Sequence, residues 1–172
     1  MPTSRERVLT ALSFAEADRV PLDLGGINNT TMHVSIEQRL LRHLGLEARE
    51  SEIRAINQQV VVPDERLLLH FGCDTRTIFI AEQPWRYDAG TGVYTDQWGI
   101  GYTRNPDGNY YNFHRHPLAD ADDVAAIERY RFPDPCWEGG LDGLEARIAS
   151  YRGEYCLILE GLREPMFGLP SW

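Results

Sequence analysis

Seven residues of this sequence have side chains or backbone freedom suited to binding a small molecule and to acid–base chemistry. Carboxylates accept protons and hydrogen bonds, arginine binds carboxylates through two parallel N–H groups, and glycine lets a backbone turn tightly beside a ligand. The residues are Asp23, Gly25, Gly26, Arg76, Asp96, Trp98 and Glu160. We interpret Asp23 as a catalytic residue and the other six as substrate-binding residues.

Asp23 lies in a segment whose pattern predicts a strand. Apolar residues alternate with Pro21 and Asp23 from Val20 to Leu24, and two glycines follow directly. A carboxylate within a core strand costs free energy unless it is paired or faces a cleft, and α/β proteins bind ligands beyond the carboxyl ends of their strands. Asp23 is therefore interpreted as a polar anchor or proton acceptor. The alternative is a structural carboxylate that accepts hydrogen bonds from the N–H groups of the glycines.

Two further charged residues lie on predicted strands. Arg76 occupies a strand position where a solvated charge is not expected. Its guanidinium either binds an acidic substrate through two parallel hydrogen bonds or pairs with Asp74 or Asp96. Glu160 ends another predicted strand, which is the position that faces the mouth of a barrel. Both residues are therefore candidates for contacting a substrate.

Asp96 and Trp98 share one face of a predicted hairpin strand with Tyr94. On that face these residues either line a substrate pocket or stack together and stabilise the hairpins. His114 and His116 would also share a face, but two histidines are fewer than the three or four ligands of a metal site. The sequence therefore predicts no metal site.

The predicted elements that position these residues alternate between helix and strand. In chain order they are a helix over 4–14, a strand over 20–24, helices over 36–44 and 63–71, a strand over 74–80, two hairpins over 85–113, helices over 120–130 and 141–151, and a strand over 155–160. Strands that alternate with helices indicate a parallel sheet with crossover connections. A closed (β/α)8 barrel takes about 250 residues, so the 172 residues of this chain are too few for a complete one.

Composition argues against several classes of partner and compartment. Lys and Arg number 17 against 26 Asp and Glu, and the resulting net charge of -9 argues against a nucleic-acid surface. No apolar run approaches the roughly 18 residues of a membrane helix, and the polar start of the chain is not a signal peptide. The three cysteines form no CxxC pair, so we expect reduced thiols in a cytoplasmic protein.

A combined pattern of short segments extends over nearly the whole chain. The segments are Asp18 to Gly26, Pro63 to Glu65, Phe71 to Arg76, Tyr94 to Ile100, His116 to Ala119 and Phe132 to Pro135. Together and in this order they resemble the uroporphyrinogen decarboxylase family. The resemblance implies the N-terminal part of a (β/α)8 TIM barrel with an inserted antiparallel β-meander, since full members are roughly twice this long. Residues 1–172 would then form a single domain whose insert occupies about 85–113.

The resemblance also implies two reactions. Family members either remove acetate carboxyl groups from a tetrapyrrole without a cofactor, or move a methyl group between a corrinoid and a thiol with zinc. The decarboxylases carry an arginine-rich segment after their first strand, where residues Leu24 to Asn29 here contain no arginine. They also carry an aspartate after the second strand, where only Glu82 stands nearby. The zinc ligands of the methyltransferases would lie beyond this half, so no cofactor is expected within the chain itself.

A function of another class is a non-catalytic half-barrel that assembles with itself or with a complementary chain. Three parallel strands with an open edge would leave unpaired N–H and C=O groups. The expected partners are therefore a small-molecule substrate for the enzyme, and a second copy or a complementary chain for the assembly protein. Neither function is expected to involve binding to nucleic acid or to a membrane.

Overall fold

The computed structural model describes residues 1–80, 83–134, 137–151 and 153–160. Their contacts divide the chain into two compact units. Of the described residues, the first unit contains those up to 80 and those from 142 to 160, and the second contains those from 83 to 141.

Short helices and short strands make up both units. In chain order the elements are α1 (Ser4–Leu12), a 3-10 turn (Asn28–Thr30), α2 (Val34–His43), β1 (Ile53–Ala55), β2 (Val60–Val61), α3 (Glu65–Phe71), β3 (Thr75–Phe79), β4 (Arg86–Asp88), β5 (Val93–Thr95), β6 (Gly101–Arg104), β7 (Tyr111–Arg115), α4 (Val124–Arg129), α5 (Leu144–Ser150) and β8 (Cys156–Glu160). β1 and β2 form an antiparallel pair, β3 and β8 form a parallel pair, and β4 to β7 form a four-stranded antiparallel sheet in sequence order.

The parallel pair is the structural centre of the first unit. Thr75 lies opposite Cys156 and Phe79 opposite Glu160, while α1 contacts β8 and α5 contacts β3. Side chains alternate between the two faces of a strand. Thr75 and Thr77 therefore share one face of β3, and Arg76 lies on the other face.

Helix α1 follows the expected start signal. The Thr3 hydroxyl accepts the N–H of Glu6 at 3.1 Å, and the Glu6 carboxylate accepts the N–H of Thr3 at 2.8 Å, so the predicted capping box is confirmed. The helix ends at Leu12 instead of Phe14. Phe14 has a φ of 58°, a left-handed conformation that does not continue a right-handed helix.

The expectation of a partial TIM barrel is wrong. Among the described residues, only β3 and β8 pair in parallel, and the chain between them forms four antiparallel strands and two short helices. The N-terminal part of a barrel would show successive parallel strands, each followed by a helix. Turn-forming residues between the aromatic strands favour local hairpins, which need no crossover helix. The fold is therefore a set of small sheets with short helices.

The predicted strand over Val20–Leu24 is also wrong, because this segment joins no β-ladder among the described residues. Pro21 has no N–H to donate, and Val20 is 84% exposed. The N–H of Asp74 donates to the carbonyl of Leu22 at 2.8 Å, and Asp74 Oδ2 accepts the N–H of Leu22 at 2.8 Å. The Asp74 carboxylate thus takes the place of a backbone hydrogen-bonding partner on a neighbouring strand. The segment remains irregular beside the start of β3.

The hairpins predicted over 85–113 are present in the second unit as β4 to β7. Tyr87 lies opposite Tyr94, and Tyr102 lies opposite both Tyr94 and Phe113. These aromatic residues share one face of the sheet, because directly opposite residues point to the same side. Their rings stack on one another, as between Tyr87 and Tyr94 at 4.6 Å, and this packing stabilises the sheet.

Two further expectations concern membranes and cysteines. No helix in the described ranges is both long enough and apolar enough to span a membrane. Cys73 and Cys156 are free thiols. Cys136 and Glu82 lie outside the described residues.

Candidate functional site

Asp23 lies over the glycine turn, which is formed by Gly25 and Gly26. The hydroxyl of Thr75 on β3 donates a short hydrogen bond to Asp23 Oδ1. A Cβ added to Gly26 would lie 2.6 Å from both carboxylate oxygens, so a side chain at this position would displace the carboxylate. Asp23 Oδ2 has no hydrogen-bonding partner in the part of the chain that the structure describes. One oxygen of this carboxylate is therefore available to a ligand.

Gly25 determines the shape of the glycine turn. Its φ is +86°, and a Cβ added there would lie 2.6 Å from two ring carbons of Pro63. Its N–H donates to the carbonyl of Thr30 at 2.9 Å, and its own carbonyl accepts the Thr77 hydroxyl at 2.6 Å. The turn is thus fixed both to β3 and to the 3-10 turn that follows it.

Arg54 and Glu160 form an ion pair beside the same turn. Nη1 of Arg54, in β1, donates to the carbonyl of Gly25 at 2.7 Å, while Nη2 pairs with Glu160. The Arg54 side chain is 3% exposed and that of Glu160 is 16% exposed. Glu160 ends β8 opposite Phe79 at the end of β3. The pair therefore lies at the carboxyl ends of the parallel strands, where α/β proteins bind ligands.

Asn28 lies next to this ion pair. Its backbone N–H donates to Glu160 Oε1 at 3.2 Å. Its side-chain Oδ1 is buried and has no hydrogen-bonding partner within the described residues. A buried acceptor without a donor costs about 1–3 kcal/mol, so a bound group that donates to Asn28 Oδ1 would recover free energy. We call Asn28, Arg54 and Glu160 the edge cluster.

A network around Asp74 fixes the backbone just before Asp23. Asp74 is fully buried. Its carboxylate accepts from Arg7 at 2.6 Å, from Arg19 at 2.7 Å and from the N–H of Leu22 at 2.8 Å. Because Leu22 directly precedes Asp23 and Arg19 lies a few residues earlier, these bonds hold the segment against the start of β3.

Hydrogen bonds from the arginines keep the carboxylates of this network ionised. The hydrogen bonds of Arg7, at 2.6 and 2.8 Å, lower the pKa of Asp18. Burial alone would raise the pKa of Asp74, but hydrogen bonds from the Leu22 N–H, from Ser4 and from the two arginines outweigh burial and lower it. The network is therefore complete at neutral pH, where both carboxylates are ionised.

Arg76 lies apart from the glycine turn, on the opposite face of β3 from Thr75. Its Nε and Nη2 bind Glu65 at 3.0 and 2.7 Å, and its guanidinium stacks 3.7 Å from the ring centroid of Tyr155. The residue is 2% exposed. The ion-pair alternative thus matches its surroundings, with Glu65 as the partner instead of Asp74 or Asp96.

Asp96 and Trp98 belong to the second unit. Asp96 Oδ1 accepts the N–H groups of Trp98 and Ile100, each at 2.9 Å, and Oδ2 accepts the Tyr102 hydroxyl at 3.0 Å. The Trp98 ring packs edge-on against Phe132, with 6.5 Å between ring centroids. These contacts place Asp96 in the turn between β5 and β6, where it binds the backbone of that turn.

Replacing Asp96 with alanine is expected to lower the free energy of unfolding of the second unit by about 2–4 kcal/mol, because buried donors to a charged acceptor lose their partner. Asp96 is 7% exposed. Urea unfolding followed by tyrosine and tryptophan fluorescence measures the loss. Asp107→Ala is the matched control, since exposed Asp107 accepts only the N–H of Asn109, at 3.0 Å, within the described residues. Equal losses in the two variants would contradict this role of Asp96.

The sequence did not identify Arg54, Asn28 or the two threonines of β3 as site residues. Arg54 lies in a three-residue strand within a stretch that has no clear periodicity, and its partner Glu160 is distant along the chain. An ion pair of this kind leaves no local signal in the sequence. Asn28 did carry a signal, because it opens a polar stretch directly after the glycine turn.

The described residues do not offer a binding site for the zinc ion that the methyltransferases use. Nowhere in ranges 1–80, 83–134, 137–151 and 153–160 do three His, Cys, Asp or Glu side chains come close enough together to hold a metal ion. Zinc would supply an activated thiolate for methyl transfer. No role of a described residue is therefore argued through zinc.

The relationship of the chain to known proteins was tested by three comparisons. The chain matches no family model, and neither curated proteins nor solved structures gave a match. The resemblance to the uroporphyrinogen decarboxylase family therefore stays a hypothesis based on residues.

Proposed function

We propose that this protein is an enzyme of the uroporphyrinogen decarboxylase family that binds a small-molecule substrate over the glycine turn. The observation that supports the proposal most is that the glycine turn, Gly25 and Gly26, lies between two carboxylates: Asp23, which binds Thr75 at the start of β3, and Glu160 at the carboxyl end of β8. Sequence patterns alone had selected all four residues. The barrel fold of the family is not part of the proposal.

Asp23 is the residue proposed to act on the substrate. Thr75 binds one carboxylate oxygen and leaves the other without a partner among the described residues. Decarboxylation requires protonation of the carbon that loses CO₂, and methyl transfer requires a thiol to lose its proton. A positioned carboxylate can accept or deliver a proton in either reaction.

Arg54 is proposed as a positioning residue instead of a substrate ligand. Residues Leu24 to Asn29 lack the arginines that the family's decarboxylases use to hold substrate carboxylates, and the arginine that contacts this turn comes from β1. Its Nη atoms already bind the carbonyls of Gly25 and Gly26, at 2.7 and 3.4 Å, and the carboxylate of Glu160. Arg54 therefore orients Glu160 and closes the glycine turn.

Two groups of this site are hydrogen-bond acceptors that no described residue satisfies. Asp23 Oδ2 and the buried Asn28 Oδ1 lack donors among the described residues. A substrate with N–H or O–H groups fits such a surface better than one recognised through its carboxylates alone. A tetrapyrrole or corrinoid-linked substrate is the class that the family resemblance supports, with decarboxylase-like or methyl-transfer chemistry as the reaction.

The experiment that tests the proposal compares the two reactions on the full chain. One incubation contains uroporphyrinogen, and the other contains a methyl-corrinoid, a thiol and zinc. We expect turnover in one of the two, together with quenching of tryptophan fluorescence by the same tetrapyrrole. Chain unfolded in urea is the control for non-specific binding. Absence of both turnover and binding in the two incubations would contradict the proposal.

A further inference from the structure

Helix α2 (Val34–His43) carries an apolar stripe at the protein surface, with basic residues along one flank of the stripe. Positions 36, 40 and 43 lie on one side of the helix, because residues three and four apart are neighbours on a helix surface. Ile36 is 47% exposed, whereas Leu41, on the other side, is 1% exposed. A shallow depression in this surface is lined by Ile36, Arg39, Leu40, Arg42 and His43. One side of α2 thus packs on the first unit and the stripe faces outward.

The basic flank of α2 has no counter-charge close by. Arg39 and Arg42 are exposed, and neither forms an ion pair within the described residues. Glu37, the only acid of α2, is buried on the other side of the helix, where it accepts the N–H of Asp64 at 2.8 Å. A positive flank beside an apolar stripe is complementary to a surface that is both apolar and acidic.

Helix α4 (Val124–Arg129), in the second unit, has that complementary character. No residue of α4 is buried, and Val124 and Ile127 are 70% and 48% exposed. These two side chains share one side of the helix, since they are three positions apart. Glu128 lies beside them, and Asp122 lies directly before the helix. Both acids are exposed, and neither forms an ion pair in the part of the chain that the structure describes.

We propose that α4 of one copy of this chain packs on the apolar stripe of α2 of a second copy. Val124 and Ile127 enter the depression in α2, and the acids beside them meet its basic flank. Burial of apolar surface stabilises this contact, and the opposite charges favour it over contacts between like surfaces. This inference is independent of the proposed enzymatic function.

The contact joins two different surfaces, so each copy offers one of each kind to its neighbours. Two short helices bury less than about 1,200 Å², the lower limit of a standard interface. We therefore expect a weak association that increases with protein concentration. Because salt screens charges at an exposed surface, the association should also weaken as the salt concentration rises.

Sedimentation velocity over a concentration series tests the association with two variants. The α2 variant combines Arg39→Glu with Arg42→Glu, and the α4 variant combines Val124→Ser with Ile127→Ser. Each is expected to lower the association constant by about tenfold or more, because the first brings like charges together and the second removes apolar area. Circular dichroism checks that both variants fold.

A mixture of the two variants tests the pairing itself. The α2 variant keeps a native α4 and the α4 variant keeps a native α2, so the mixture offers one intact contact. We expect a one-to-one pair in the mixture at concentrations where each variant alone is monomeric. Absence of this pair overturns the proposal.

Two matched controls make the same changes elsewhere on the exposed surface. Arg5→Glu with Arg86→Glu matches the α2 variant in charge, and both arginines are exposed. Leu12→Ser with Leu141→Ser matches the α4 variant, and these leucines are 68% and 64% exposed. Both controls are expected to associate as the wild type does. Equal loss in a variant and its control overturns the proposal. So does a wild type that is monomeric at every concentration, which would leave the α2 stripe to an acidic helix of a different protein.

Discussion

Replacing Asp74 with alanine is expected to lower the free energy of unfolding of the first unit by about 3–5 kcal/mol, because removing one member of a buried ion pair leaves its partner's charge uncompensated. Asp74 is 0% exposed and binds Arg7, which is 8% exposed. The same change releases Leu22 and Arg19 from the start of β3. Equilibrium unfolding in urea, followed by circular dichroism, measures the loss.

Asp64→Ala is the matched control for this prediction. Asp64 also binds an arginine, Arg66, at 2.6 Å, but both side chains are more exposed, at 18% and 27%. Since Asp64 caps α3, its loss is expected to cost about 0.5–2 kcal/mol. A loss at Asp74 no larger than that at Asp64 would contradict the role of the buried network.

The stability that Asp74 contributes is expected to depend on pH in one direction. The folded state lowers the pKa of Asp74 below its ordinary value of 3.8. Its contribution is therefore fully present above that value and is lost as the pH falls through the lower folded-state pKa. The difference in unfolding free energy between wild type and Asp74→Asn should accordingly be largest near neutral pH and shrink in acid.

Replacing Gly25 with alanine is expected to cost about 2–4 kcal/mol of unfolding free energy, because a left-handed backbone and overpacking each add strain. The added Cβ would lie 2.6 Å from the ring of Pro63 at a φ of +86°. Thermal and urea unfolding measure the effect. Gly45→Ala is the matched control, since Gly45 has a φ of +67° with nothing within 4 Å, and it should cost about 1–2 kcal/mol. Equal costs would show that the Gly25–Pro63 contact adds nothing.

Local signals in the sequence predicted local structure well. The capping box of Thr3 and Glu6 predicted the start of α1. Gly72, with a φ of 65°, ends α3 in the left-handed conformation expected of a glycine at a helix C-terminus. The aromatic strands with glycine-rich turns between them gave the antiparallel sheet. Each of these features depends on residues that are close in sequence.

The predictions from sequence were wrong or missing where the structure depends on contacts between residues that are far apart in the chain. Alternating apolar residues indicated a strand over Val20–Leu24, yet the Asp74 carboxylate occupies the hydrogen-bonding position that a neighbouring strand would take. The pairing of Arg54 with Glu160 likewise joins distant parts of the chain. The parallel sheet expected from alternating elements and the partial barrel implied by the family resemblance failed for the same reason, since strand order depends on long-range pairing.

The candidate site was predicted in part. Asp23 and Glu160 both lie beside the glycine turn, Asp23 at the start of β3 and Glu160 at the carboxyl end of β8. Asp23 was chosen as the end of a strand over Val20–Leu24, and that reason was wrong. Arg76 lies in a buried ion pair on the other face of β3. A buried arginine looks the same in a sequence whether its partner is a substrate or Glu65.

The role of Asp23 is tested most directly by the affinity of Asp23→Asn for uroporphyrinogen and for a methyl-corrinoid, measured by quenching of tryptophan fluorescence. Asparagine still offers an oxygen to the Thr75 hydroxyl, so the free energy of unfolding should stay at the wild-type value. Binding should weaken by about tenfold or more, equivalent to about 1.4 kcal/mol, while the exposed control Glu16→Gln should bind as wild type. Wild-type affinity in Asp23→Asn would contradict the assignment of the glycine turn as the substrate site.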